Sequence, residues 1–216
     1  GAQTQRSLEN FKIGKDKIPP EIIVSLGKQK KACALANNSL GLINKKLTTA
    51  ITKACDQVIN LSLIDEFPLS VWQTGSGTQT NMNANEVISN YAINILKGKV
   101  GSKSPIHPND HVNLSQSSND TFPTVMHIAT NELTDYKLLP SLNNLIKELR
   151  LKIKLYSKTI KIGRTHTQDA TPLTVGDEFS GYLRQIENNL ERILLSKKEL
   201  SYVAQGGTAV GSGINS

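Results

Sequence analysis

A titratable imidazole set among hydroxyl, amide and carboxylate groups is the part of this sequence best equipped for chemistry. The stretch Lys161-Ile162-Gly163-Arg164-Thr165-His166-Thr167-Gln168-Asp169-Ala170-Thr171-Pro172-Leu173-Thr174 places His166 just ahead of a long helical pattern. With an unperturbed pKa near ~6.5, such a side chain can take or give a proton at neutral pH. Two further stretches have the same polar, mostly uncharged character, Gly75-Ser76-Gly77-Thr78-Gln79-Thr80-Asn81 and Ser115-Gln116-Ser117-Ser118-Asn119-Asp120, and each stands before a helical run. The first turn of a helix carries unpaired N–H groups and the positive end of its dipole, so neutral donors there can hold a small anion such as a carboxylate. Ser and Asn are also ordinary N-caps, and any one of these loops alone reads as capping. Together, with a His in one of them, they point to a site that binds an anion and moves a proton.

These loops need elements to carry them. Pro19-Pro20 sets up a helix start, with Ile22, Ile23, Leu26, Ala32, Cys33 and Leu35 as its apolar side, while residues 1–18 read as polar and irregular. A second helix is expected over about residues 43–60 from Ile43, Leu47, Ile51, Ala54 and Val58. After the glycine-rich loop, whose glycines permit backbone angles closed to other residues, Asn81 to Lys97 reads as a helix buried through Met82, Val87, Ile88, Tyr91, Ile95 and Leu96 and stopped by Gly98. A long helical stretch then runs from Asp120 to about Lys158, broken or restarted at Pro140. Thr174 caps the last one, with Asp177 and Glu178 in its first turn, Lys197 and Lys198 in its last, and a stripe through Val175, Phe179, Tyr182, Leu183, Ile186, Leu190, Ile193 and Leu194. No period-two strand run and no internal repeat stands out. The fold class is mainly α: a mostly helical N-terminal domain, then the first part of a long-helix bundle, since striped helices of this length need others to pack on.

Composition narrows the classes. A chain of 216 residues can bury a core and form one or two domains of the usual ~100 to 200 residues. The net charge of +7 comes from lysines spread along helical patterns, among them Lys28, Lys30, Lys31, Lys147, Lys152 and Lys197, which read as solvated faces. With aromatics at only 5% and no basic patch interleaved with them, nucleic acid is not an expected partner, although a positive field would help to attract a dianion. Cys33 and Cys55 lack metal-ligand spacing and read as buried thiols in a reducing compartment. No zinc site, other metal or organic cofactor is expected. No apolar run approaches the ~18 to 20 residues that span a bilayer, so no membrane partner is expected and a cytoplasmic location is the default. A start at Gly1 and a glycine-rich end over Gly206 to Ser216 suggest a piece of a longer chain.

In this order the motifs resemble class II fumarate hydratase, of the aspartase and fumarase superfamily, over essentially the whole chain. The resemblance is carried by Gly1-Ala2-Gln3-Thr4-Gln5-Arg6-Ser7, Trp72-Gln73-Thr74-Gly75-Ser76-Gly77-Thr78-Gln79, Asn81-Met82-Asn83 with Asn85-Glu86-Val87, and His107-Pro108-Asn109-Asp110. It continues through Gln116-Ser117-Ser118-Asn119-Asp120, Gly163-Arg164-Thr165-His166, Gln168-Asp169-Ala170-Thr171-Pro172-Leu173-Thr174 and Gly206-Gly207-Thr208-Ala209-Val210-Gly211. It implies residues 1–115 as an N-terminal lyase domain and 116–216 as the first part of the central helical bundle. It implies a homotetramer whose active sites each draw on different chains, acting on a small dicarboxylate, fumarate or malate. The rest of the central domain, with a Gly-Ser-Ser loop and the Lys and Asn after it, would lie beyond Ser216, so the 216 residues alone are expected to be inactive.

Carried over residue by residue, the resemblance makes His166 the catalytic acid or base and Ser76, Gly77, Thr78, Ser117, Ser118, Asn119 and Thr165 the substrate-binding set. His107, Pro108, Asn109 and Asp110 correspond to a second dicarboxylate site, where an Arg common in the family is replaced by Ser104, with Lys103 the nearest cation. Thr167 stands where Leu is usual and Asp177 where Gln is usual; His111 and His127 read as structural. An aspartate ammonia-lyase is the alternative within the superfamily, from which His166 separates the chain because aspartases typically carry Gln there. From another class, a non-catalytic helical interaction module also fits, because striped helices without their neighbours would seek another chain.

Overall fold

A computed structural model describes residues 1–216, and the chain forms two compact units, Gly1–Ala129 with Val203–Ser216, and Thr130–Tyr202. Both are mainly helical, as the periodicities require.

The first unit contains α1 (Ala2–Asn10), α2 (Pro20–Ser39), α3 (Lys45–Ile59), α4 (Thr78–Ile95), a π-helical turn (Pro108–Val112) and the start of α5 (Ser118–Leu133). Helix α2 begins at the expected proline, and Asn44 caps α3 by accepting the Leu47 N–H at 3.0 Å. Ile23 and Leu26 of α2 meet Ile51, Ala54 and Val58 of α3 and Ile88, Ala92 and Ile93 of α4 in one core.

Two expectations fail in this unit. Residues 1–18 are not all irregular, because Ala2–Asn10 is helical. That segment has no apolar stripe of its own; it is held by a carboxylate far along the chain, Glu86, which accepts the Gln3 N–H at 2.8 Å, the Thr4 N–H at 3.0 Å and the Thr4 hydroxyl at 2.7 Å. Helix α2 is also turned otherwise than its apolar residues suggest. Ala32 and Leu35 face solvent, whereas Ser25, Gln29, Lys30 and Asn37 are buried. Lys30, expected on a solvated face, is 0% exposed.

Burial pushes the Glu86 carboxyl up, but the N–H groups of Gln3 and Thr4 and the Thr4 hydroxyl outweigh it and hold the group below the usual carboxylate range. A depressed folded-state pKa gives stability that is present above the unfolded value and lost as pH falls through the folded one. Wild type should therefore exceed Glu86→Gln by about 1–3 kcal/mol near neutrality, in proportion to the donors left poorly satisfied. That gap should close between pH 5 and the acid limb in denaturation curves recorded at several pH values; a gap that persists unchanged into acid would remove Glu86 as the anchor of α1.

The second unit carries a π-helical turn (Thr134–Leu138), α6 (Leu139–Leu155), β1 (Ile160–Thr165), β2 (Gln168–Thr174) and α7 (Val175–Glu199). Pro140, in the first turn of α6, lies just after the widened turn, where its missing N–H costs no helical hydrogen bond. Helices α6 and α7 run antiparallel, since Asp135–Lys197 at 3.0 Å, Arg150–Glu187 at 2.7 Å and the edge-on Tyr156–Phe179 rings at 6.4 Å join them in opposite order. Thr174 and Asp177 form a reciprocal capping box, which gives the unusual Asp177 a structural purpose. Leu145, Leu151, Leu155, Leu194 and Leu195 stay exposed along this pair.

Strands β1 and β2 form an antiparallel hairpin where none was expected. Their residues are mostly exposed on both sides, so no apolar–polar alternation marks them. The turn also lacks the usual Asn-Gly or Gly signal.

Candidate active site

In the first unit, Gly77 caps α4 with φ +74°, and a Cβ there would sit 2.3 Å from the Phe122 ring, so a side chain is refused on both conformational and steric grounds. The tight turn strings Thr74, Ser76 and Thr78 into a chain of hydroxyls, 3.2 Å and 3.0 Å apart, on the exposed side. Ser117 precedes α5. Its Oγ accepts the Asn119 N–H at 3.2 Å, and its own N–H donates to Asp120 Oδ1 at 2.9 Å, so the capping reading of this loop holds for Ser117. Ser118 Oγ accepts from Asn81 Nδ2 at 2.8 Å, and Asn119 Nδ2 donates to the Ala209 carbonyl at 2.9 Å.

A cavity of about 400 Å³ opens here, lined by Asn81, Asn85, Asn109, Ser117, Ser118 and Thr208 among others. Asn81 Oδ1 and both polar atoms of the Asn85 amide are buried without a protein partner. A helix N-terminus, hydroxyls with a proton still to donate and unpartnered amides fit a small polyoxygen anion. Asp120 holds the loop that closes the cavity: its Oδ2 accepts the N–H groups of Gly206 at 3.2 Å and Thr208 at 2.9 Å, and Gln205 Nε2 at 3.3 Å.

Beneath this turn lies Lys30. Its ammonium donates to Asn113 Oδ1 at 2.8 Å and Gln116 Oε1 at 2.9 Å. Burial lowers its pKa to about 7, against the opposing pull of Cys33, Cys55 and Asp120. Burial likewise pushes the free Cys55 thiol up to about 12, as suits an inert core thiol.

The π-helical turn holds the second group of residues. His107 Nδ1 accepts the N–H groups of Asn109 and Asp110, each at 3.2 Å, and His111 Nδ1 accepts the His107 N–H at 2.9 Å. Asp110 Oδ2 is also 3.2 Å from His107 Nδ1, but a nitrogen that accepts N–H donors has no proton for the carboxylate, so we assign His107 as the Nε2–H tautomer and the contact as no true ion pair. A small cavity of about 90 Å³ is lined by His107, Pro108, Asn109, Lys103 and Arg6. Cations are thus present although position 104 is Ser.

The second unit carries Thr165 and His166. His166 and Thr167 form the two-residue tip of the hairpin, with Thr165 paired to Gln168 and positive φ at both tip residues, +48° and +63°. This is the arrangement of a type I′ turn, which favours Gly and Asn; a His and a β-branched Thr held there store local strain of the sort found at functional sites. His166 is exposed, and Arg164 and Asp169 flank it 3.7 Å apart. Gly163 sits at a bulge where a Cβ would meet the Thr171 carbonyl at 2.7 Å.

A family model described as lyase matches residues 1–216. The chain belongs to the lyase family. It is 59% identical over 215 residues to a class II fumarate hydratase of Caulobacter vibrioides, covering 100% of the chain and 46% of that relative. It is 57% identical over 217 residues to the mitochondrial fumarate hydratase of Saccharomyces cerevisiae, covering 100% of the chain and 44% of the relative. Among solved structures, the class II fumarase of Schistosoma mansoni superposes with a TM-score of 0.94 at 49% identity, over 100% of this chain and 45% of that one. The chain therefore spans about half the length of the relatives it matches.

No helix of the chain is long and apolar enough to cross a membrane. Its first unit brings together Ser117, Ser118 and Asn109 at one cavity, with Ser76 and Thr78 on the adjoining α4 start, while Thr165 and His166 belong to the second unit. Sequence reading passed over Arg6, Lys30, Asn85 and Asp120 as site-forming groups. Arg6, Asn85 and Asp120 stand within the family's motifs, but nothing local distinguishes Lys30 from Lys28 or Lys31.

Proposed function

We propose that the complete protein is a class II fumarate hydratase, reversibly hydrating fumarate to (S)-malate in the tricarboxylic acid cycle. The observation that carries this reading is the cavity at the start of α5, where Ser117, Ser118 and buried unpartnered amides offer neutral donors to a small dicarboxylate. The fumarate hydratases it resembles supply the reaction. Removing a proton from carbon beside a carboxylate builds further negative charge on that carboxylate, and preorganised donors stabilise it as it forms. Ser76, Gly77, Thr78, Ser117, Ser118, Asn119 and Thr165 hold and orient the substrate in this reading. His166 exchanges the proton on the hydroxyl side.

We further propose a homotetramer that assembles each site from several copies, as the resemblance to class II fumarate hydratases implies. The exposed leucines of α6 and α7 are the surface such an assembly would bury. Within the complete subunit, residues 1–115 would form the N-terminal domain and 116–216 would open the central bundle. His107, Pro108, Asn109 and Asp110, with Arg6 and Lys103 beside them, would take a second dicarboxylate. The reaction needs no cofactor in this scheme, and the free thiols fit a reducing cytoplasm.

The test is to incubate the complete protein with fumarate and with aspartate. Malate formed from fumarate, with no ammonia released from aspartate, is expected; the reverse pattern, or neither product, overturns the reading. Residues 1–216 alone should give no malate yet elute as an associated species in light scattering.

A further inference from the structure

Lys30 has no part in the scheme above, yet it is the one lysine enclosed completely by the first unit. Its partners are neutral side-chain amides, not carboxylates, and both belong to the turn that leads into α5. Asn113 Nδ2 donates to the Gln116 carbonyl at 3.2 Å, and Gln116 Nε2 donates to the Val112 and Leu114 carbonyls at 3.1 Å and 3.0 Å. These bonds close the turn, and they exist only while each amide keeps its oxygen toward α2 and its nitrogen toward the turn. A flipped amide would set its NH₂ against an ammonium, which has only donors. Gln29 Nε2 also donates to Gln116 Oε1 at 3.1 Å and Asn81 Nδ2 to Asn113 Oδ1 at 3.3 Å, but Lys30 makes the shortest bond to each oxygen and is the only charged donor, so it contributes most to which way round both amides sit. Ser115, inside the turn, has φ +61°, a conformation that a residue with a side chain keeps only where its surroundings impose it.

We propose that Lys30 is a positioning residue for substrate binding: acting through Asn113 and Gln116, its ammonium fixes the turn from which Ser117, Ser118 and Asn119 reach the dicarboxylate. This rests on the reading of that turn as part of the substrate site. A cation enclosed among amides is costly to bury, which suits a functional demand better than a structural one. Deprotonation weakens the constraint, because a neutral amine can accept as well as donate and tolerates either amide orientation, leaving the neutral partners of the two amides to hold them. The ionisable groups acting on Lys30 are Cys33 on its own helix, Cys55 on α3 and Asp120 on α5, and burial pushes both thiols up. With the amine titrating at about 7, the turn loosens as pH rises through neutrality.

In the complete protein, Lys30→Met should leave the melting temperature unchanged or higher while raising the KM for fumarate by about 10-fold or more, with kcat changed much less. Lys30→Gln, which can still donate, should recover part of the KM. Amide hydrogen exchange over residues 113–119 should quicken in Lys30→Met. This last measurement reads the turn directly and is independent of whether the protein hydrates fumarate. A wild-type protein without that activity would sink the functional reading, and unchanged exchange would sink this one. Equal KM values in wild type and Lys30→Met overturn the proposal, and so does a Lys30→Met protein that loses activity only by losing its fold. A titration that needs no change at Lys30 completes the test. In a His166→Asn background, succinate binding should weaken between pH 6 and 8.5; flat binding overturns the proposal.

Discussion

His166→Asn in the complete protein is expected to lower the turnover of fumarate by roughly 10²- to 10⁴-fold, the range for loss of a general acid or base, while substrate affinity changes far less. Asn keeps a comparable size and can still hydrogen-bond, and it is well suited to the positive φ of +48° at the hairpin tip. The hairpin should therefore survive, and the variant tests titration separately from folding. Steady-state kinetics with circular dichroism as the folding control decide it. Turnover within a few-fold of wild type would remove His166 from the chemistry.

The largest effect on stability is expected from Asp120→Ala. This carboxylate is 2% exposed and accepts the N–H groups of Ser117, Gly206 and Thr208, so truncation leaves buried donors with nothing to meet. At about 1–3 kcal/mol for each orphaned donor, moderated where the 205–208 loop can relax into water, a total loss of about 3–5 kcal/mol is expected. Asp120→Asn, which keeps an acceptor oxygen, should lose clearly less. Urea denaturation of the two variants beside wild type gives the comparison; equal midpoints in all three would show that the loop does not depend on this group.

The elements readable in the sequence were those whose signals are local. Pro20 starts α2, the apolar steps from Ile43 to Val58 mark α3, and Thr174 with Asp177 caps α7, all within a turn or two of the residue concerned. What escaped depends on partners far away in sequence. Helix α1 is tied by Glu86, and the burial of Lys30 is decided by Asn113 and Gln116, so neither leaves a mark in its own neighbourhood. The hairpin escaped because both its faces are wet. For the candidate site, the motif at 115–120 was found, but motif reading could not separate Ser117, whose oxygen serves the helix cap, from Ser118, whose oxygen is engaged by Asn81.

The chain enters the first unit, leaves it after Ala129 and comes back at Val203, and the returning segment supplies the N–H groups that Asp120 binds, 86 and 88 residues further along. Emerging from a ribosome at about 5–20 residues per second, the chain presents Asp120 some ~4 to 18 seconds before its partners exist. Until then a carboxylate destined for burial must stay hydrated, and the start of α5 must stay open. The completed cavity is consequently a late event in synthesis: the second unit has to be threaded out first, and the turn at the start of α5 is completed by residues made after the α6–α7 pair.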